Sequence, residues 1–322
     1  MKQKENEDAL VARIARALAG TKPSALDCGL GDDAALWRPT PGCQLILTCD
    51  WFLEGSHFLR HKHPADAVGW KCLARATSDI AAMGGQPRCF LLSLALPGAL
   101  AGRWLNQFLS GLKRASQALH CECAGGDTTW ENKVLIGVTV IGEVRRARAI
   151  RRCGAKPGDL IFVSGTLGEA GLGFRQLRRG RGMARPSNHA LRKHLYPEPR
   201  LALGAWLAER RLASTMMDIS DGLSTDLARL CKASGVGARI ETVSLPRNAR
   251  LPAAEAEGFA LHGGEDYELL FTVGPRNAQR LPEKFQGLSL TCIGRITKER
   301  KVVMETGQGI QTLQPGGWDP FR

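Results

Sequence analysis

The sequence predicts a mixed α+β or α/β protein of two domains, on the strength of three observations. The chain has 322 residues, which exceeds the usual size of a single hydrophobic core. Segments with helical periodicity alternate with short apolar segments in both halves, a pattern typical of domains that pack helices on sheets. Around residue 150 the composition changes, because the basic, loop-like segment 145–157 precedes a new apolar strand. We therefore predict domains 1–150 and 151–322.

In the first domain, helices and strands are predicted to alternate. The first helix ends at Gly20, and the second closes before Gly84. The second helix places Asp79 in its final turns, where the helix dipole disfavours a carboxylate, so Asp79 is predicted to bind a metal or a hydrogen-bond donor. In order, the predicted elements are a helix over 8–18, a strand over 44–49 that delivers Asp50 at its end, a helix over 65–83, a strand over 89–96, a helix over 104–119 and a strand over 134–140.

The second domain is predicted to continue in the same mixed manner. Its one irregular part is a basic, flexible stretch over 178–187. Around that stretch the predicted elements are a strand over 160–163, a helix, a helix over 201–210, a strand ending at Asp218, a helix after Gly222 and strands over 267–273 and 288–293.

Composition predicts a soluble, cytoplasmic protein. Hydrophobic residues make up 43% and charged residues 23% of the chain, as is ordinary for globular proteins. No uncharged apolar run reaches the roughly 18 residues that a membrane helix needs. The polar N-terminus does not resemble a secretory signal. The ten cysteines are scattered without a Cys-x-x-Cys pair, which favours buried thiols in a reducing compartment over disulfides or zinc.

The chain is strongly basic. Lysine and arginine outnumber aspartate and glutamate by 44 to 31, giving a formal net charge of +13. Such a balance fits nucleic acid, an anionic surface or a phosphorylated small molecule. The excess gathers over 145–152 and 175–185, and neither cluster has the interleaved aromatic residues of a single-strand platform. Nucleic-acid binding is therefore not favoured.

Six carboxylate motifs stand among glycines and small residues, which let a backbone approach a ligand closely. Hard cations such as Mg²⁺ need oxygen ligands and often bridge a protein to a phosphate-bearing substrate. Thr48, Thr128 and Ser220 add hydroxyl oxygens beside three of the carboxylates. Together the motifs predict phosphoryl transfer with several ions. They are Gly29–Asp33, Thr48-Cys49-Asp50, Ser78–Gly85, Gly125–Thr129, Asp218–Gly222 and Gly263–Asp266.

Three other nucleotide-binding signatures are absent from this sequence or do not fit it. The chain has no Gly-Lys-Ser/Thr sequence, which excludes a P-loop, and no His-Arg-Asp or Asp-Phe-Gly sequence of a protein kinase. The Gly29-x-Gly31-x-x-Ala34 pattern superficially matches a dinucleotide-binding site. Asp32 and Asp33 would, however, place two negative charges against the pyrophosphate, where that motif offers only backbone amides, so a dinucleotide site is rejected.

Single residues have structural interpretations as well. Each aspartate alone is more often a cap or turn residue. Asp33 and Asp266 are predicted to be such structural members of their pairs. His57 alone favours a structural role, and Trp318 fits a core anchor or a stacking ring equally well.

In this order the motifs closely resemble those of the thiamine-monophosphate kinase family, in the superfamily that includes aminoimidazole ribonucleotide synthetase and selenophosphate synthetase. The resemblance extends from about Gly29 to Trp318, and the segments Asp218–Leu223 and Gly263–Leu269 separate this family from most superfamily relatives. It implies ATP-dependent phosphorylation of thiamine monophosphate to thiamine diphosphate, with several Mg²⁺ ions.

The resemblance also implies a fold and an assembly. The fold is a two-domain α+β fold of the aminoimidazole ribonucleotide synthetase type. Domain 1–150 would bind ATP and metal and dimerise, and domain 151–322 would complete the active site. The N-terminal sheets of a homodimer would join across the two-fold axis in a barrel-like interface.

The resemblance assigns roles residue by residue. The implied metal ligands are Asp32, Thr48, Cys49, Asp50, Asp79, Asp127, Asp218 and Asp221. The implied ATP contacts are Gly126, Asp127, Arg152 and Ser220, and the implied contacts to thiamine monophosphate are His57, Glu265 and Trp318. Cys49 replaces a family serine or threonine, so it can serve Mg²⁺ only through its backbone carbonyl. Trp130 stands where arginine is common, and the family's aromatic contact to adenine has no identified counterpart.

The implied chemistry needs no general base. The acceptor is a phosphate monoester with a second pKa of about 6, so its oxygen is anionic near neutral pH. Mg²⁺ ions and Arg152 would offset the repulsion between that oxygen and the γ-phosphate in an in-line attack.

Two rivals stay open. The first is another ATP-dependent synthetase of the superfamily, for which Cys28 is the nearest candidate for the selenophosphate-type reactive cysteine. The second is a basic nucleic-acid-binding protein.

Overall fold

In the computed structural model, which describes residues 7–18, 25–30 and 34–321, the chain divides into two units. Of the described residues, unit 1 takes those within Met1–Ile80, Gln86–Arg146 and Leu177–Arg185. Unit 2 takes Ala81–Gly85, Ala147–Gln176 and the remainder from Pro186. The main division therefore falls after Arg146, while Ala81–Gly85 belongs to unit 2 and Leu177–Arg185 to unit 1. The domains 1–150 and 151–322 stay predictions.

Unit 1 contains a small two-stranded sheet and a four-stranded sheet. The small sheet pairs β1 (Leu26–Cys28) with β2 (Leu36–Trp37). The large sheet has the order β3-β6-β4-β5, with β4 and β5 parallel and the other neighbours antiparallel. Its strands are β3 (Cys43–Leu53), β4 (Gln86–Leu96), β5 (Glu122–Trp130) and β6 (Leu135–Arg145).

Helices cover one face of the four-stranded sheet. They are α1 (Glu7–Leu18), α2 (Ala65–Ala82) and α3 (Arg103–Leu119), with a 3₁₀ turn over Gly98–Leu100. A side chain on Gly69 of α2 would lie 2.8 Å from the backbone nitrogen of Leu112 in α3. Glycine at this position therefore allows the two helices to pack closely.

The two faces of β3 differ sharply, because successive side chains of a strand point to opposite sides. Ile46 and Phe52 are buried on the side of α2. Leu47 and Trp51 point the other way and are 69% and 58% exposed. Along β3, the second face of the sheet thus carries large apolar side chains that the described residues of the single chain leave exposed.

Unit 2 is built on one large, mainly antiparallel sheet. Its order is β14-β13-β9-β12-β7-β10-β8, with β11 paired to β12, and only β13 and β9 run parallel among these pairs. The strands are β7 (Leu160–Ser164), β8 (Ala213–Ile219), β9 (Gly237–Glu241), β10 (Glu268–Val273), β11 (Lys284–Phe285), β12 (Leu288–Thr297), β13 (Val302–Thr306) and β14 (Gly309–Thr312).

Both faces of this sheet are buried. On β7, Ile161 belongs to a core with Leu227 of α7, whereas Phe162 belongs to a second core with Leu207 of α6. This alternation explains why the strands of unit 2 read as nearly continuous apolar runs. The helices are α4 (Glu169–Arg179), α5 (His189–Leu195), α6 (Leu201–Glu209), α7 (Leu223–Ser234), α8 (Ala253–His262) and α9 (Pro275–Ala278), with a 3₁₀ turn over Thr242–Ser244.

Most predicted elements are confirmed within one to three residues, but one prediction is wrong in a way that concerns the site. Asp50 does not end its strand; it lies inside β3, which continues to Leu53. The extension follows from pairing, since Cys43–Leu53 matches β6 residue for residue. Gly20, the predicted end of α1, lies outside the described residues. None of the helices among the described residues combines the length and the hydrophobicity that a membrane-spanning helix requires.

Candidate active site

The first acidic group of unit 1 joins β3 to the end of α2. The Thr48 hydroxyl donates to Asp79 Oδ2 at 2.5 Å. Asp50 lies two residues further along β3, so its side chain projects from the same face as Thr48. The structure therefore brings Thr48 and Asp79 into contact and places Asp50 beside them.

Arg75, which the sequence analysis did not identify, binds this acidic group. Arg75 Nε donates to Asp50 Oδ2 at 3.1 Å, and its guanidinium lies 5.4 Å from the centre of the Phe52 ring. The sequence could have indicated Arg75, because it precedes Asp79 by one helical turn and must therefore lie on the same face of α2. Cys49 points to the opposite, exposed face of β3, so of its groups only the backbone stays available for the predicted metal role.

A cavity of about 190 Å³ lies beside the Gly-Gly-Asp-Thr motif of β5. Its polar rim contains Gly126, Asp127 and Thr128, and its other walls come from Val11, Ile14, Leu30, Leu92, Cys123 and Gly125. A side chain on Gly126 would clash with the backbone of Leu92, lying 2.7 Å from its carbonyl carbon. Glycine is thus required where β5 runs against β4. The aliphatic walls had no signal in the sequence motifs.

The Thr128 hydroxyl is a buried polar group that meets no hydrogen-bond partner among the described residues. Leaving such a group unsatisfied costs about 1–3 kcal/mol. Because Thr128 lines the cavity, a ligand with a polar edge would remove that cost. The cavity therefore suits a partly apolar molecule with hydrogen-bonding atoms.

His57 has a structural duty in the turn after β3. Its Nδ1 accepts a hydrogen bond from the Leu53 backbone N–H at 3.1 Å, and its ring lies 5.9 Å from that of Phe52. The Nδ1 atom of His57 thus has a structural hydrogen bond, and the predicted contact of His57 with the substrate stays a prediction.

In unit 2, residues 218–222, here called the acidic loop, connect the end of β8 to the start of α7. Asp218 is almost fully buried near the end of β8, and Ser220 and Asp221 follow it. Asp226 accepts from the backbone N–H groups of Ser220 and Asp221 at 3.1 and 3.0 Å. Arg229 pairs with both Asp221 and Asp226. The sequence motif identified the acidic residues of this loop. It did not predict Asp226 and Arg229, the two residues of α7 that stabilise the loop.

Burial dominates the electrostatics of this loop. It raises the pKa of Asp226 to about 6, with a further contribution from the charge of Asp221, while Arg229 acts in the opposite direction. The acidic loop is therefore held by Asp226 and Arg229. Burial disfavours ionisation of the Asp226 carboxyl group, whereas Arg229 favours its ionisation.

The Gly263–Asp266 segment lies against the acidic loop. The Glu265 backbone N–H donates to the Ser220 carbonyl at 2.7 Å, and Glu265 adopts a left-handed φ of 67°. Its carboxylate lies 3.2 Å from Nδ1 of the buried His194. The strained backbone and this partner together fix where the Glu265 carboxylate stands.

Asp266 is structural, as predicted. Its carboxyl oxygens accept from the backbone N–H groups of Gly168 and Ala170 at 2.5 and 3.0 Å, at the start of α4. Burial raises its pKa to about 7 despite these hydrogen bonds. The corresponding prediction for Asp33 concerns a residue outside the described part of the chain.

A buried ion cluster supports the same region. Glu268, at the start of β10, accepts from Lys193 Nζ at 2.6 Å, Arg200 Nε at 2.7 Å and Ser164 Oγ at 2.6 Å. Burial acts to raise the pKa of Glu268, but its hydrogen bonds to Arg200 and the charge of Lys193 outweigh burial and lower it. A carboxylate three residues from Glu265 is therefore kept ionised without contact with water.

The remaining predicted residues are Arg152, Trp318 and Asp32. Arg152 is exposed, and its carbonyl accepts from Ser234 Oγ at 3.2 Å. Trp318 is half exposed, and its backbone N–H donates to the Asp221 carbonyl at 3.0 Å. Asp32, a predicted metal ligand, lies outside the described residues.

The donor set fits a hard cation chemically, since its members offer carboxylate, hydroxyl and carbonyl oxygens. Among the residues that the structure describes, no three His, Cys, Asp or Glu side chains are grouped closely enough to hold a metal by themselves. The metal roles of Asp50, Asp79, Asp127, Asp218 and Asp221 thus stay predictions.

Comparisons with known proteins agree with the motifs over nearly the whole chain. The family model for the N-terminal domain of AIR synthase related proteins matches residues 31–144, and that for the C-terminal domain matches residues 156–307. The thiamine-monophosphate kinase of Escherichia coli K12 is 38% identical over 320 residues, covering 96% of this chain and 97% of its own.

Solved structures are similar as well. The thiamine-monophosphate kinase of Stenotrophomonas maltophilia K279a superposes with a TM-score of 0.81 at 35% identity, over 93% of this chain and 96% of its own. The structure of AaThiL complexed with AMPPCP and TMP gives a TM-score of 0.78 at 34% identity, over 100% and 99% of the two chains.

Proposed function

The chain belongs to the AIR synthase related family, in its thiamine-monophosphate kinase branch, and from this premise we propose that it phosphorylates thiamine monophosphate with ATP to give thiamine diphosphate. The observation that carries the proposal is similarity over the full length to kinases of this name, one of which binds AMPPCP and TMP together. The relatives named above are kinases, which does not support the alternative of a nucleic-acid-binding protein.

The cavity of unit 1 supports the ATP half of the proposal. Its aliphatic walls suit the faces of an adenine base, and the unsatisfied Thr128 hydroxyl suits a polar edge of the nucleotide. Gly126 lies at the polar rim of this cavity. We assign Gly126, Asp127, Arg152 and Ser220 to ATP, as the family resemblance implies.

We propose direct transfer without a covalent enzyme intermediate. An anionic oxygen of thiamine monophosphate forms a bond to the γ-phosphorus in line with the bond that breaks, and ADP departs with that electron pair. Asp32, Thr48, Asp50, Asp79, Asp127, Asp218, Asp221 and the backbone of Cys49 would hold Mg²⁺. When bound, Mg²⁺ supplies positive charge that offsets repulsion between the phosphates.

The residues of this chain would do the remaining work by position and charge. The Arg152 guanidinium would bind phosphate oxygens, and Arg75 would hold the Asp50 carboxylate in its orientation through their hydrogen bond. No proton has to leave the acceptor oxygen, which is already anionic near neutral pH. Contacts to the organic part of the substrate are assigned to His57, Glu265 and Trp318.

Replacing Trp318 with alanine is expected to raise KM for thiamine monophosphate by about 2- to 30-fold while kcat changes little, since a ring over a cationic heterocycle contributes about 0.5–2 kcal/mol. Steady-state kinetics at saturating ATP measures both constants. Trp318→Phe retains an aromatic face and should lie between the two. An unchanged KM with a lower melting temperature would instead identify Trp318 as a core anchor.

We further propose a homodimer formed through the uncovered face of the unit 1 sheet, in the barrel-like manner that the family implies. Leu45, Leu47, Trp51 and Leu91 project from this face with 49%, 69%, 58% and 36% exposure. A contiguous apolar sheet face of this kind is typical of a surface that is buried on association.

Leu47→Glu is therefore expected to weaken dimerisation by about 100-fold or more, because each subunit would bury an unpaired carboxylate. Sedimentation velocity over a range of protein concentrations measures the change. Val243→Glu, at an 82% exposed position of unit 2, is the matched control and should sediment like the wild type. A dimer of unchanged strength in Leu47→Glu would rule out this face.

The kinase proposal itself is tested by product analysis. The protein is incubated with ATP and Mg²⁺, with and without thiamine monophosphate, and both ADP and thiamine diphosphate are quantified by chromatography. We expect the two products in equal amounts and only when all components are present. ADP release that does not depend on thiamine monophosphate would favour another synthetase of the superfamily.

A further inference from the structure

Residues 316–318, here called the C-terminal strap, are attached to unit 2 by three successive backbone hydrogen bonds. The Gly316 N–H donates to Ser224 Oγ at 3.2 Å, and the Gly317 N–H donates to Thr225 Oγ1 at 3.1 Å. The Trp318 N–H donates to the Asp221 carbonyl at 3.0 Å. Every backbone donor of the strap is therefore bound at the first turn of α7 or at the acidic loop before it.

The strap fits this surface only because it contains two glycines. A side chain on Gly317 would lie 2.8 Å from Thr225 Oγ1 and 2.9 Å from the carbonyl carbon of Asp221. On Gly316 it would lie 2.7 Å from Nδ1 of His262. The backbone is thus pressed directly against the polar groups that hold it.

His262 completes the attachment of Gly316. Its Nδ1 lies 2.9 Å from Ser224 Oγ. Because Ser224 Oγ accepts from Gly316, its own proton is free to be donated to His262 Nδ1. Burial lowers the pKa of His262 and so favours the neutral ring that accepts this proton.

The attachment fixes the backbone of Trp318 while leaving 49% of the residue exposed. A half-exposed ring on a fixed backbone loses little conformational freedom when a flat ligand stacks on it. Asp221 connects the strap to the proposed metal site. Its carbonyl accepts from the strap, and its carboxylate, which pairs with Arg229, is one of the proposed metal ligands.

We propose that Ser224 and Thr225 are positioning residues that set the Trp318 ring for the cationic heterocycle of the substrate and so determine affinity for thiamine monophosphate. This inference rests on the proposed kinase function. Neither hydroxyl touches the reacting phosphates in this proposal; both act through the strap.

The decisive comparison is Thr225→Val against Thr225→Ser. Valine keeps the shape of threonine but removes the acceptor of the Gly317 N–H, whereas serine keeps it. We expect Thr225→Val to raise KM for thiamine monophosphate by about 5- to 10-fold, the effect of losing one hydrogen bond, with kcat and KM for ATP within about twofold of the wild type. Thr225→Ser should restore the wild-type KM.

A glycine pair provides the second arm. Gly317→Ala should displace the strap and raise the same KM at least as much as Thr225→Val. Gly307→Ala is the matched control, because a side chain there meets no atom within 4 Å, and it should behave like the wild type. Circular dichroism melting curves verify that each variant is folded.

A spectroscopic readout separates this inference from the kinase proposal. In protein labelled with 5-fluorotryptophan, Trp318→Phe identifies the ¹⁹F resonance of Trp318 among the seven tryptophans. We expect that resonance to shift in Thr225→Val and Gly317→Ala without any ligand, and to remain in place in Thr225→Ser and Gly307→Ala. An unmoved resonance, or equal rises in KM for both substrates, overturns the positioning role. Failure of the wild type to form thiamine diphosphate overturns the kinase proposal while the ¹⁹F test of the strap still stands.

Discussion

Asp127→Asn is expected to lower kcat for thiamine diphosphate formation by about 100- to 1,000-fold or more, the usual loss when a group that stabilises developing charge is removed. Asp127 is exposed at the rim of the unit 1 cavity, beside Gly126 and Thr128. Asparagine keeps the shape of the side chain but removes the anion that is proposed to hold Mg²⁺. The fold should persist, because an exposed isosteric change leaves the packing of β5 intact.

A coupled assay for ADP at saturating ATP, thiamine monophosphate and Mg²⁺ measures this loss. Asp27→Asn serves as the control in the same unit, since it removes only the exposed ion pair with Arg38, and such pairs contribute little. Asp50→Asn should repeat the result of Asp127→Asn. Near-normal turnover in Asp127→Asn would eliminate its metal role.

Arg200→Met is expected to lower the free energy of unfolding by about 3–5 kcal/mol, the usual cost of breaking a buried ion pair by removing one partner. Arg200 is largely buried, and its partner Glu268 has no exposed side-chain surface. Without Arg200, one buried carboxylate would depend on Lys193 and Ser164 alone. Urea denaturation measured by circular dichroism gives the change.

Two comparison variants sharpen this test. Arg239→Met removes a pair with Glu305 whose side chains are 40% and 43% exposed, and it should cost less than about 1 kcal/mol. The double variant Arg200→Met/Glu268→Met should recover part of the loss, since it leaves no buried charge unpaired. A loss below about 1 kcal/mol in Arg200→Met would show that the cluster adds no net stability.

The pH dependence follows from the lowered pKa of Glu268. A carboxyl whose pKa is lower in the folded protein contributes stability above its ordinary pKa of 4.5, and that contribution is lost as the pH falls through the folded value. The difference in stability between wild type and Arg200→Met should therefore be full near neutral pH. It should shrink as the solution is acidified below pH 4.5.

Long periodic elements of the fold were predictable, whereas strands defined only by their partners were not. α2 and α3 follow from apolar spacing and terminal signals in their own sequence. β5 was missed because Gly125–Thr129 has the composition of a turn, and only parallel pairing with β4 makes it a strand. The same applies to β13 and β14, which carry few local signals and pair at the edge of the unit 2 sheet.

The candidate site divides in the same way. Short motifs identified the oxygen-bearing residues, because glycine and carboxylate patterns are local. Their partners come from distant segments: His194 contacts Glu265 from α5, and Arg229 contacts Asp221 from α7. Such contacts are fixed by tertiary packing, so single-sequence patterns contain little information about them. Arg75 is the exception, since its helical spacing from Asp79 could have revealed it.

The alternation of β3 has a consequence for how variants of this protein should be sorted. Even-numbered positions from 46 to 52 face α2 and include Thr48 and Asp50, while odd-numbered positions from 45 to 51 face outward. Two phenotypes are therefore expected along one strand. Substitutions at the even-numbered positions should change turnover, and substitutions at the odd-numbered positions should change the proposed dimerisation. A single-residue insertion near Gln44 would exchange the two sets and abolish both properties at once.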